Sequence, residues 1–131
     1  MKKLARPTSL SKMDNTLWEK IIIYLKNRDG WVNGGDIERE SMNWTIKGKI
    51  VKPSIAGRRA RDLAEVGIID HKEEGSVFYK FLSCPEIKEK AKALVLDDKK
   101  QRFQARMYWF VKRITMTEEE IGQAHAMGIA I

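Results

Sequence analysis

Apolar residues recur along the chain with two periods, and the change from one to the other marks out its elements. Leu17, Ile21, Tyr24 and Leu25 repeat at helical spacing, which predicts a helix with a core-facing stripe. Thr16 and Glu19 stand at capping-box spacing at its start, where a hydroxyl and a carboxylate satisfy opposite free backbone N–H groups. Asn27 to Gly30 end it, with Asp29-Gly30 as a turn signal. Trp31-Val32 is a short apolar step that suits a short strand. Asn33 caps a second expected helix over 34–40, with Ile37 pointing inward. Residues 41–53 have no clear period and contain Gly48 and Pro53, so they read as an extended loop in which Trp44-Thr45-Ile46 can pair locally. Ser54 is the expected N-cap of a third helix that runs to Val66 and stops at Gly67.

The period then shortens. Ile68 to Lys72 and Ser76 to Leu82 are β-prone runs flanking Glu73-Glu74-Gly75, a hairpin signal. Tyr79 and Phe81 alternate with Phe78 and Lys80, so one face can pack on the helices. Beyond Pro85, Ile87, Ala91, Leu94 and Val95 return to helical spacing. Asp97-Asp98-Lys99-Lys100 interrupts the pattern, and Phe103, Met107, Phe110, Val111 and Ile114 resume it out of phase. Two helices are therefore expected here, although the aromatics of 103–111 also fit a strand. Thr117 and Glu120 cap a last short helix over 118–127. Residues 1–14, with Pro7, Thr8, Ser9 and Ser11, show no period and read as a flexible basic arm.

Composition narrows the classes. The chain has 131 residues, 25 Lys+Arg against 18 Asp+Glu and a net charge of +7. That length closes a hydrophobic core without disulfides or metals. Cys84 is the only cysteine, so no intramolecular disulfide forms, which fits a reducing compartment. No apolar run approaches the roughly 18 residues of a membrane span. Lys2, Lys3 and Arg6 are followed by no apolar stretch of the secretory kind. A cytoplasmic protein with no membrane partner is expected. Two histidines and one cysteine are too few for the usual zinc sites. There is no phosphate-binding glycine loop and no recognisable triad; Glu118-Glu119-Glu120 reads as the acidic first turn of a helix. No cofactor, metal, catalytic residue or small-molecule substrate is expected, and the chain is not expected to be an enzyme.

The charge is uneven. Residues 47–61 hold Lys47, Lys49, Lys52, Arg58, Arg59 and Arg61 with no acid, and residues 99–113 hold Lys99, Lys100, Arg102, Arg106, Lys112 and Arg113. Two such blocks on a near-neutral background suit a polyanion, although such charges also simply solubilise exposed faces. On the third helix Arg58 and Arg61 stand three apart, so both can point into one DNA major groove. Arginine donates two parallel bonds to guanine or grips phosphate, and the helix N-terminus itself favours phosphate. Gly57 permits close approach, and Ile55 either touches a thymine methyl or joins the core.

The order helix, short step, helix, loop, helix, hairpin is the layout of a winged helix-turn-helix. The stretch Ser54-Ile55-Ala56-Gly57-Arg58-Arg59-Ala60-Arg61-Asp62-Leu63-Ala64-Glu65-Val66-Gly67-Ile68-Ile69 resembles the recognition-helix segment of winged-helix transcription regulators from bacteria, archaea and their viruses. The resemblance covers about residues 15–82. It implies a mainly α fold with a small β-hairpin wing, in a domain at 15–84 with a C-terminal helical extension at 85–131. It also implies sequence-specific binding of double-stranded DNA in transcription regulation. The expected DNA-binding residues are Lys47, Lys49, Lys52, Ser54, Ile55, Gly57, Arg58, Arg59, Arg61, His71 and Lys72, with Lys80 as a further flanking contact. Two features depart from the family: the long 41–53 loop and the acidic tip Glu73-Glu74. The stripe Phe103, Met107, Phe110 and Ile114 is expected to pair two copies into a homodimer or else to pack on its own domain. A protein–protein interaction module in a replication or transcription assembly is the alternative function, and an RNA-binding module a third.

Overall fold

Helix α1 (Leu17–Lys26) is enclosed along most of its length: Ile21, Ile22, Ile23 and Leu25 have no exposed surface. Three consecutive isoleucines spread over about 200° of a helix's circumference, because each residue advances about 100°. One flat neighbour cannot cover them, so the helix needs packing partners on more than one side. The computed structural model describes residues 16–128, so the arm expected at 1–14 lies outside the described residues. Within it, α1 is covered by three other elements: helix α3 (Pro53–Glu65), strand β5 (Ser76–Phe81) and helix α5 (Asp98–Thr115).

The remaining elements, in chain order, are β1 (Val32–Asn33), α2 (Gly34–Ser41), β2 (Thr45–Ile46), β3 (Lys49–Ile50), β4 (Ile69–Glu74), α4 (Cys84–Ala91) and α6 (Glu118–Ala126). The result is a mixed α/β chain, mostly helical, with a small antiparallel sheet. Among the described residues no helix is long and apolar enough to cross a membrane.

The caps follow the sequence closely. Thr16 and Glu19 close a capping box on α1, and Asn33 Oδ1 accepts from Gly35 N at 2.7 Å on α2. Thr117 and Glu120 box α6. At the end of α3, Gly67 adopts φ +75° and donates to Ala64 O, while Ile68 N reaches back to Leu63 O at 3.0 Å. This paired termination needs a left-handed residue, which glycine supplies without strain. The start of α3 differs from expectation. Pro53, not Ser54, opens the helix, and Lys52 is the N-cap, with no side-chain cap bond. Proline suits the first helical position because its missing N–H would be unpaired there anyway.

The sheet runs β1-β5-β4, all antiparallel. Val32 pairs with Tyr79, and the β4–β5 ladder runs from Ile69 opposite Phe81 to Glu74 opposite Ser76, with Gly75 at φ +76° between. Alternation turns Val32, Ile69 and Tyr79 into the core, while Asp70, Lys72, Phe78 and Lys80 share the opposite face. The 41–53 segment is not simply a loop. Thr45 pairs with Ile50 and Ile46 with Lys49 in a second hairpin. Its turn residues, Lys47 at φ 51° and Gly48 at φ 80°, are both left-handed, as a tight two-residue hairpin requires. Trp44 and Val51 anchor its base in the core, with the Trp44 ring edge-on to Tyr24 at 6.0 Å.

The C-terminal helices share this core. Met107, Phe110, Val111 and Ile114 are buried, and Phe103 is half-buried against the same cluster. The strand option for 103–111 is overturned, because the stretch lies inside an 18-residue helix capped by Asp97. The seam expected between two copies, Phe103, Met107, Phe110 and Ile114, is therefore occupied by the chain's own core. Val95 is another correction. Helix α4 ends at Ala91, its period lapses, and Val95 is turned out at 99% exposure while Leu94 lies over Gly67.

Phe110→Ala is expected to destabilise the fold by about 3–5 kcal/mol, the cost of emptying an aromatic core site. Thermal unfolding at several protein concentrations checks the assignment. A melting temperature independent of concentration places Phe110 in the chain's own core, and one that rises with concentration returns it to a subunit interface.

Candidate nucleic-acid interface

The outer face of α3 carries the site. Ala56, Ala60 and Leu63 turn inward and are fully buried. The helical period then sends Ser54, Arg58, Arg61 and Glu65 to the opposite side, where all four are exposed. Arg58 and Arg61 form no ion pair among the described residues. Next to the start of α3 stands the β2–β3 hairpin, with exposed Lys47 at its tip, Lys49 on its second strand and Lys52 at the helix N-cap. The first turn of α3 has no acidic residue. Lys49 and Lys52 border one groove with Ile55 and Arg59 of α3, Lys47 stands at the hairpin tip, and Ser54, Arg58 and Arg61 lie on the outer face of α3.

Four of the expected residues have packing or pairing partners within the chain. Arg59 turns towards α1 and α5. Its guanidinium donates to Asp62 Oδ2 at 2.6 Å and lies 5.5 Å from the Trp18 ring centre. Trp18 Nε1 donates to the same Asp62 oxygen at 3.2 Å, and the Trp18 ring meets Phe103 edge-on at 5.0 Å. Arg59 is a tie between α1, α3 and α5, and the cation that a DNA contact would need is already partnered. Ile55 is half-buried and lines a shallow apolar groove of about 350 Å³ with Leu17, Trp18, Ile46 and Ile50. Gly57 does not offer open space to a ligand. A Cβ there would overlap Glu38 Oε2, with Glu38 Cδ at 3.3 Å, so the bare backbone serves the packing of α2 against α3. Lys72 lies on the sheet face turned away from the core. Its ammonium sits 3.4 Å from Glu74 Oε1 and 4.7 Å from the Trp31 ring centre, with Lys80 5.8 Å from the same ring.

His71 is exposed and pairs across the ladder with Tyr79. Tyr79 closes a cleft of about 330 Å³ with Gly34, Glu38, Gly57, Arg61 and Ser76. Burial holds the Tyr79 phenol above its ordinary range; Arg61 draws it down, and Glu38 and Glu73 push it up. Glu38 and Arg61 thus face one cleft with the Tyr79 ring. The residue type at Glu38 gave no signal of this in the sequence, because only the α2–α3 packing brings it to the site.

The second basic block is spent differently. Lys100 pairs with Glu65 at 2.8 Å, and that partner raises its pKa. Arg102 pairs with Asp98, Arg106 lies 6.0 Å from the Trp18 ring centre, and Lys112 5.1 Å from that of Trp109. Gln104 donates to Val66 O at 2.8 Å, fixing α5 against the end of α3. Among the described residues no group of three or more His, Cys, Asp or Glu side chains could hold a metal ion. The chain matches no family model, no curated protein and no solved structure.

Arg59 and Arg58 are adjacent in sequence and separate in role. Arg59→Ala is expected to lower thermal stability by about 1–2 kcal/mol through loss of a half-buried charged hydrogen bond. Arg58→Ala is expected to stay within about 0.5 kcal/mol of the parent, as exposed substitutions do. Denaturant unfolding of both variants checks the division; equal losses would remove it.

Proposed function

We propose that this chain is a winged helix-turn-helix protein that binds double-stranded DNA through α3, in the service of transcription regulation. The observation that carries the reading is the pair Arg58 and Arg61, exposed together on one face of α3 and free of carboxylate partners among the described residues. A major groove admits one helix, and two arginines on its outer face can reach base edges or phosphates within it. In this reading α2 and α3 are the helix pair, and β4–β5 is the hairpin that follows. The β2–β3 hairpin lies between the two helices and supplies Lys47, Lys49 and Lys52 as phosphate contacts. These add affinity without sequence information. The hairpin tip Glu73-Glu74 stays away from phosphate.

A second reading is favoured by one feature. Leu17, Trp18, Ile46, Ile50 and Ile55 line an apolar groove beside α3, and Ile50 is 73% exposed. Exposed apolar surface of this kind suits a protein partner in a replication or transcription assembly.

Titrating the protein into labelled duplex DNA over a salt series separates the two. DNA binding predicts an affinity that falls steeply with salt, and a slope reduced by about one unit for each of Lys47, Lys49 and Lys52 replaced by Ala. On a site selected from random duplexes, Arg58→Ala or Arg61→Ala is expected to cost about 1–3 kcal/mol. Absence of any complex at low salt would favour the protein-interaction module, and preference for double-stranded RNA over duplex DNA an RNA-binding one.

A further inference from the structure

Glu38 is a carboxylate beside Arg61, one of the cations of the proposed interface. It belongs to α2, yet it lies across the bare backbone of Gly57, the residue before Arg58 on α3. It shares the cleft of Gly57, Arg61, Ser76 and Tyr79. Among the described residues neither Glu38 nor Arg61 forms an ion pair. The carboxylate is therefore not consumed by Arg61. The notch that seats it exists because residue 57 has no side chain.

We propose that Glu38 sets the base preference of the α3 face, by accepting a hydrogen bond from an exocyclic amino group in the major groove. An ionised carboxylate is an acceptor only. In the major groove it matches the amino group of cytosine or of adenine and opposes the acceptor edge of guanine. It also repels phosphate, which limits binding to duplexes that place no amino group there. Arg61, next to it, supplies the complementary donor for guanine. The two side chains read neighbouring positions with opposite polarity, and specificity comes partly from the contact that the carboxylate refuses. Gly57 is a positioning residue in this scheme: it acts through Glu38.

This inference rests on the DNA-binding reading, and the test separates the two. Wild type, Glu38→Gln and Gly57→Ala are each carried through selection from a random duplex library, followed by competition of the selected site against random duplex. Wild type is expected to return a site with an amino-bearing base at one defined position, and substitution of cytosine by adenine there identifies which amino group is used. Glu38→Gln keeps the size of the side chain and loses the charge. It is expected to bind random duplex more tightly and to lose about tenfold of the discrimination at that position, with other positions unchanged. Gly57→Ala is expected to lose discrimination at the same position by displacing the carboxylate. A merely structural role for Glu38 would lower stability and leave the selected sequence intact. Identical selected sites and identical discrimination in all three proteins would overturn the inference while leaving DNA binding standing. Absence of duplex binding by wild type would overturn the reading beneath it.

Discussion

The rest of the structure depends on the burial of α1 from every side. Ile21, Ile22 and Ile23 point in three directions and all are fully buried, so α1 needs neighbours beyond the sheet and α3. Helix α5 is the neighbour that completes the enclosure. That requirement decides what the stripe at 103–114 does. An amphipathic helix with a coiled-coil-like seam suits either a second copy or the chain's own interior, and the tri-isoleucine run selects the interior. Once docked, α5 is tied to the end of α3 by Gln104, by Lys100 on Glu65 and by the Trp18 cluster. The tie closes one flank of α3, and α2 closes the other through Gly57. The outer face is what remains.

Most of the fold was legible in the sequence because most of its signals are local. Thr16 with Glu19, Asn33, Gly67, and Thr117 with Glu120 each act within a few residues, and each does what its spacing implies. The hairpin of β4 and β5 was readable from Gly75 and the alternation about it. The β2–β3 hairpin was harder. Its turn is Lys47-Gly48, and a lysine at φ 51° is a weaker signal than asparagine or aspartate before glycine. Only the possibility of local pairing at Trp44-Thr45-Ile46 pointed towards it. Ser54 misled because a good capping residue stood one place beyond a proline, and proline took the first helical position.

The candidate site was legible in outline and not in detail. The helical period placed Arg58 and Arg61 on the outer face without knowledge of the fold. It could not place Arg59. That residue is at the edge of the stripe, and its direction is set by Trp18 and Asp62, which only the packing of α1 on α3 brings together. Gly57 misled for a related reason. Sequence reveals that a side chain is absent, but only tertiary structure shows what fills the space.

The two basic blocks make the same point about charge. Each holds six cations, yet the structure gives them different environments. In the second, Lys100 and Arg102 have carboxylate partners, and Arg106 and Lys112 lie over indole rings. In the first, Arg59 is paired with Asp62, while Arg58 and Arg61 stand exposed on a helix whose opposite side is core. Exposed surface pairs add little stability, so the distinction matters for ligands more than for folding. A cation already beside a carboxylate must give up that partner to meet a phosphate. One facing solvent gives up only water and counterions, and counterion release itself favours the complex. In the DNA-binding reading proposed above, Arg58 and Arg61 are therefore the cations best placed to meet a polyanion.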